Sequence, residues 1–383
     1  MPERGRRVAS NRDGEAGEEA SGVGEGTELD STTPDASSAE GSARAPRRWL
    51  RRLRRIVLSL LATIVVLVLA LVIAFQVSYW PTTVLLRHMP TFNGGDPGTE
   101  QVDPPTGVQS TFDLVYREGD PDGRMDVFSP EGVTGQLPTV VWVHGGAFVA
   151  GTKEGTTTYL QLLAAEGYTT ISVEYTKAPE QHYPYQVNQV ADALAYIDAH
   201  AEELGVDSSR IVLGGDSAGG HIAAQTAMAV SEPEYAEAAG LPAPIGADQL
   251  VGTVLMCGAY DLFLPDYGDG VMGRFQRDII WAYTGEKHFL EDSRLAYASL
   301  PQHVTDAYPP TFISAGNGDP LEPHSHSMAE ALRAADVPTD ELFFPPGTEP
   351  EIPHEYQFQL AQEPAQEAFD RVVDFLETHT QEQ

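Results

Sequence analysis

The 383-residue chain holds one cysteine, Cys257, and only three of its 23 basic residues are lysine. A single thiol excludes an intramolecular disulfide framework, so a packed core must supply the stability, and Cys257 in its apolar run is expected to be buried and inert. Positive charge is scarce: 23 Lys and Arg stand against 56 Asp and Glu, a formal net charge of −33. That excess repels phosphate and excludes nucleic acid as a partner; it reads as a self-repelling, soluble surface. Residues 1–42 almost lack large apolar side chains. They cannot bury the surface that folding needs and are expected to be disordered. There is no internal repeat.

What the chain does have near its start is a dense run of arginine. Residues 43–55 carry seven Arg and no acid, and the 22 residues Ile56–Val77 that follow carry no charge. As a helix that run spans about 33 Å, the thickness of a bilayer's hydrocarbon layer. A cleaved signal peptide has a shorter apolar core and a small-residue cleavage site, neither of which is found here. The expectation is therefore a single-pass membrane protein: a cytoplasmic segment 1–55, a transmembrane helix 56–77, a tether 78–109 and an extracytoplasmic domain 110–383, with the lipid bilayer as a partner.

From about residue 110 the pattern alternates. Thr111–Arg117 and Arg124–Phe128 flank a turn-rich connector and predict a hairpin. Short apolar β runs follow at 139–143, 169–175, 210–213, 252–256, 311–315 and 341–344, with helical patterns at 157–166, 187–204, 218–230 and 325–335. Strand–helix alternation predicts an α/β fold with a mostly parallel sheet covered on both faces. Residues 261–300 break the rhythm and carry Phe263, Tyr267, Phe275, Trp281 and Tyr283. They read either as a cap insertion over a site or as an excursion packed on the domain.

The chemistry is concentrated in Ile211–Gly220, where an apolar β run enters Gly215-Asp216-Ser217-Ala218-Gly219 and a helical pattern leaves it. A sharp strand-to-helix turn exposes the serine hydroxyl at the top of a sheet. Serine needs a base, and the base an orienting acid, here expected in the chain order serine, acid, histidine. His221 lies within the helix after Ser217, His288 and His303 belong to the irregular stretch, His324 and His326 open a helix, and His379 is near the end. His354, in a Pro-rich loop after the last β run, is the candidate base. Asp319, after Thr311–Ala315 and a glycine turn, is the candidate acid, with Glu322 and Asp261 as competitors. Gly145 and Gly146 after a strand, with the amide of Ala218, are the candidate oxyanion donors, and His144 is expected to brace their loop.

These motifs resemble the hormone-sensitive-lipase-like branch of the α/β-hydrolases, which includes many bacterial carboxylesterases. His144-Gly-Gly-Ala-Phe148 is similar to its oxyanion motif, Gly215–Gly220 to its nucleophile motif, Glu174-Tyr-Thr-Lys-Ala-Pro-Glu180 to a further conserved segment, and Asp319-Pro-Leu and His354 fit its acid and base positions. The resemblance covers roughly residues 110–375. It implies an eight-stranded, mostly parallel sheet, a helical cap and hydrolysis of small or lipid-like carboxylic esters without metal or cofactor. Two positions depart from it: Ala147 replaces the third glycine of the oxyanion motif, and Glu355 stands where glycine usually follows the histidine. The expected reaction is ester hydrolysis through a Ser217–His354–Asp319 triad and an acyl-enzyme. An amidase or peptidase with the same triad and a tethered, non-catalytic binding protein are the alternatives. Activity is expected to fall as His354 protonates near the ordinary imidazole value of about 6.5.

Overall fold

The computed structural model describes residues 45–89, 102–265, 267–268 and 270–381. The expected disordered segment 1–42 lies outside them, as does 90–101 of the expected tether. The chain divides into two compact units, 1–66 and 67–383. The described part of the first is the opening two thirds of helix α1 (Ala45–Val77). This helix is long and apolar enough to cross a membrane, with a mean hydropathy of 3.3 in its richest window and none of that window buried.

The second unit is built on eight strands: β1 (Val108–Val115), β2 (Arg124–Pro130), β3 (Leu137–Val143), β4 (Thr169–Val173), β5 (Val206–Asp216), β6 (Leu250–Met256), β7 (Thr311–Ala315) and β8 (Thr339–Phe343). They form one sheet in the order β1-β2-β4-β3-β5-β6-β7-β8. β2 pairs antiparallel with both β1 and β4, and the remaining pairs are parallel. The helices after α1 are α2 (Trp80–His88), α3 (Thr157–Ala165), α4 (Tyr185–Ala199), α5 (Ala201–Leu204), α6 (Ser217–Ser231), α7 (Pro233–Ala239), α8 (Val271–Thr284), α9 (Glu322–Ala334) and α10 (Glu363–His379).

Side chains of a strand alternate between faces, and β3 shows it: Val140 and Trp142 enter one apolar layer, Val141 and Val143 the other. α3 and α10 cover the first face, α4, α6 and α9 the second. The chain leaves β3 toward β4 on one side and then returns to β5 on the other. That reversal opens a crevice at the carboxyl ends of β3 and β5, where doubly wound sheets place their sites. Register makes it concrete, since Val143 lies opposite Gly215 and Asp216 opposite Met256.

Three local departures from expectation have plain causes. The helix expected over 187–204 breaks at His200 into α4 and α5, and α5 ends on Gly205 at φ +67°, a left-handed stop that glycine adopts freely. α10 was not foreseen; its Glu- and Gln-rich surface masks a buried stripe of Ala365, Ala368, Val372, Phe375 and Leu376 at helical spacing. Within the stretch expected to be a tether, α2 is a helix docked on the domain. Pro81 starts it. Leu86 is buried, Thr82 donates to Asp278 Oδ2 at 2.6 Å, and the ring of Tyr79 meets that of Trp281 edge-on at 5.1 Å. Arg87 donates to the carbonyls of Val149 at 2.7 Å and Ala178 at 2.9 Å and pairs with Glu180.

Candidate active site

β5 ends at Asp216 and α6 begins at Ser217 with no intervening loop, and Ser217 takes up the turn at φ +52°. Glycines make this possible. A Cβ on Gly215 would lie 2.7 Å from the backbone of Gly219 and the carbonyl of Val143. Of the seven non-glycine residues at positive φ among the described residues, five surround this point: Ala147, Phe148, Ser217, Cys257 and Glu355. Each such conformation costs on the order of 1–3 kcal/mol, so backbone strain is concentrated at the crevice, as at functional sites generally.

The three side chains named from the sequence meet here. His354 Nε2 lies 2.9 Å from Ser217 Oγ, and His354 Nδ1 lies 2.8 Å from Asp319 Oδ2. The Asp319 side chain is fully buried and its other oxygen accepts the amide of Leu321 at 2.7 Å. Burial opposes charge on the imidazole, but the neighbouring groups outweigh it, the Asp319 carboxylate hydrogen-bonded at Nδ1 among them, and hold the His354 pKa above its ordinary value. The expectation of a midpoint near 6.5 is therefore revised upward. Cys257 is buried and its thiol is pushed up to about 11 by desolvation, so it is neutral.

The competitors are engaged elsewhere. Asp261 accepts from Ser299 and the amide of Phe263, and Glu322 faces His326 at 3.4 Å. His221 contacts the Ala259 carbonyl at 2.9 Å, and burial drops its pKa to about 4. His303 contacts the carbonyl of Ala296, and His379 packs on Phe375 in the last turn of α10.

The loop after β3 is anchored by His144, as expected. Its ring is buried, stacks on Tyr175 at 4.4 Å, lies 3.1 Å from Glu174 Oε1, and contacts the Gly145 carbonyl at 2.7 Å. The Gly145 amide departs from the expected oxyanion role, because it donates to Asp216 Oδ2 at 2.8 Å. The amides of Gly146, Ala147 and Ala218 make no hydrogen bond among the described residues. Gly146, Ala147 and Phe148 run at φ +119°, +54° and +62°, which turns the chain sharply over the crevice. Sequence reasoning missed the claim of Asp216 on Gly145, because the partner of a backbone amide is set by tertiary approach; the Asp before the serine was the one available signal.

Ala147, Ser217, Ala218 and His354 open on a cavity of about 170 Å³ whose other walls are largely apolar, chiefly Leu262, Met272, Phe275, Ile279 and Ile280. Four of these wall residues come from α8, so the expected cap insertion supplies a wall of the pocket. Positions 266 and 269 of that insertion lie outside the described residues.

A family model described as alpha/beta hydrolase fold matches residues 140–347. Esterase LipC of Mycobacterium tuberculosis is 30% identical over 252 residues, which span 62% of this chain and 60% of LipC. Carboxylesterase NlhH of the same species is 32% identical over 272 residues, 67% of this chain and 78% of NlhH. Among solved structures, esterase B from Lactobacillus rhamnosis superposes with a TM-score of 0.63 at 20% identity, over 81% of this chain and 94% of that one, a likeness of fold. A bacterial heroin esterase superposes with a TM-score of 0.57 at 26% identity, over 74% and 88%. With a family match that runs from within β3 to beyond β8, over more than half of its length, this chain belongs to the α/β-hydrolase fold family.

Proposed function

We propose that this carboxylic ester hydrolase works by nucleophilic catalysis through Ser217, His354 and Asp319. The observation that carries the reading is the unbroken hydrogen-bonded line Ser217 Oγ–His354–Asp319 at 2.9 and 2.8 Å, opening on an apolar cavity beside unpaired amides. Ser217 Oγ attacks the ester carbonyl while His354 Nε2 takes its proton. Asp319 holds the ring and stabilises the imidazolium. The oxyanion is received by the amides of Gly146, Ala147 and Ala218, with Gly145 serving to set their loop; removal of one such donor typically costs about 2.7–4 kcal/mol of transition-state stabilisation. The imidazolium returns the proton to the departing alkoxide. Water, activated by His354, then cleaves the acyl-enzyme and frees Ser217. The names of LipC and NlhH support esters as the substrate class. The small apolar cavity favours an acyl group of modest size.

The test is a fluorophosphonate probe with an aryl ester assay. Wild type labels and Ser217→Ala does not, with turnover lower by about 10³-fold or more. An unlabelled wild type, or an active Ser217→Ala in a clean preparation, rejects the reading.

We propose further that α1 spans the bilayer with the Arg47–Arg55 cluster on the cytoplasmic side, which places the hydrolase domain outside the cytoplasm. Protease added to intact cells then removes the domain; protection of the domain overturns this orientation.

A further inference from the structure

The loop that carries His354 holds a second acid with no part in the reaction drawn above. Glu355 follows His354 directly and sits at φ +56°, a conformation that a glycine adopts without strain. Its side chain is mostly buried, and Oε1 lies 3.7 Å from His354 Nε2. On its other side its carboxyl converges with that of Asp216 on the Cα of Gly145. Both acids press on Gly145: a Cβ there would lie 2.8 Å from Glu355 Oε1 and would collide with Asp216 Oδ2.

Two buried carboxyl groups crowded together in this way repel if both are charged, and one proton held between them relieves that repulsion. Which one holds it follows from their neighbours. Asp216 Oδ1 accepts the indole N–H of Trp142 at 2.7 Å and Oδ2 accepts the Gly145 amide at 2.8 Å. Glu355 receives no N–H donor to its side chain among the described residues. Asp216 is therefore the anion and Glu355 the donor.

We infer that Glu355 is a positioning residue: with Asp216 it forms an acid pair that shares one proton, fixes the Gly145 amide and with it the oxyanion loop, and keeps a second carboxyl beside His354. This rests on the triad reading above. Burial, with the nearby Asp216 carboxylate, pushes Glu355 up to about 7, against the opposing pull of His354. The other groups facing the pair are Asp319 from the loop after β7, His144 from the loop after β3, Tyr175 after β4, Cys257 and Tyr260 after β6, and Tyr159 from α3. Tyr175 and Cys257 are neutral near pH 7, because burial raises both. Loss of the Glu355 proton thus places a new negative charge beside the imidazole in the pH range where the imidazole must be neutral to act.

The experiment compares pH profiles of kcat and KM for wild type, Glu355→Ala and Glu355→Gln on an aryl ester, with fluorophosphonate labelling of each. Glu355→Ala removes the donor, so kcat falls about tenfold while KM stays within about twofold. Glu355→Gln still donates to Asp216 and recovers most of that loss. It cannot ionise, so its acid limb moves to lower pH and becomes a single ionisation where wild type shows two. Wild-type kcat in Glu355→Ala overturns the inference. So does a Glu355→Gln no better than Glu355→Ala, or one with an unmoved profile, since a purely structural side chain would give those results. Labelling separates the two readings. A wild type that fails to label condemns the triad itself, whereas normal labelling with kinetics indifferent to position 355 condemns the acid pair alone.

Discussion

The ring of Phe148 lies 3.9 Å from that of Tyr283 and nearly parallel to it, at 15°. Phe148 belongs to the loop after β3 and Tyr283 to α8, so one stacked pair joins the loop proposed to receive the oxyanion to the helix that walls the cavity. Phe148→Ala should lower stability by about 3–5 kcal/mol, as for other buried aromatic truncations, and should let the loop drift. A displacement of about 1 Å at such a loop can cost about 10²-fold in rate. Denaturant unfolding and steady-state kinetics on the same preparation check both effects. A variant that is destabilised but fully active would show that the loop is held without this contact.

Asp319→Asn keeps the shape of the acid and removes its charge. kcat should fall by about 10⁴-fold, since the neutral amide neither orients the required tautomer nor stabilises the imidazolium. In wild type the acid limb should have its midpoint above the ordinary imidazole value, because the raised pKa keeps His354 protonated, and so unable to act as base, to higher pH. A kcat/KM profile with its midpoint at or below about 6.5 contradicts that balance of burial against the Asp319 carboxylate.

Ile279 and Phe275 line the cavity beside Ser217. Ile279→Trp should fill part of its 170 Å³ and leave acetyl esters nearly untouched while the rate on longer acyl chains falls by roughly 10–200-fold, the range set by methylene-scale changes in a pocket. Equal losses on short and long chains would place the acyl group elsewhere.

Glu174 is buried between His144 and Lys177. Burial raises its pKa, but the charges and hydrogen bonds of those two partners prevail and bring it down to about 2 from an ordinary 4.5. Because the folded value is depressed, the stabilisation is fully present above about 4.5 and is lost as pH falls toward 2. Glu174→Gln should lower stability at pH 7 by on the order of 3 kcal/mol, with the gap to wild type closing across that acid window. Unfolding midpoints at pH 7, 5 and 3.5 check it; a gap independent of pH would assign the effect to packing.

Much of the fold could be read from the chain because its causes are local. Apolar β runs alternate with helical periodicity, and a serine between glycines at a strand–helix junction has few other uses. The chain order of serine, acid and histidine brought Ser217, Asp319 and His354 to three residues that do lie in hydrogen-bond contact. What was not legible depends on approach between distant segments. The Gly145 amide faces a carboxylate 71 positions away, so its loss as an oxyanion donor has no local signature. Glu355 was visible as a departure from glycine, but its partner was not. α2 was hidden by its setting, a short helix between an apolar run and a Pro/Gly-rich stretch, and it is held chiefly by contacts with residues 62 to 202 positions further along.

The docking of α2 bears on how a water-soluble fragment should be cut. A boundary drawn after the Pro/Gly-rich stretch, near residue 102, would strip Leu86 from the interior, leave Asp278 without Thr82, and free the carbonyls of Val149 and Ala178 that Arg87 caps. Trimming just ahead of Tyr79 keeps all of these contacts, and with them the ring pair of Tyr79 and Trp281 and the tie from Arg87 to Val149, next to the strained turn at Ala147 and Phe148.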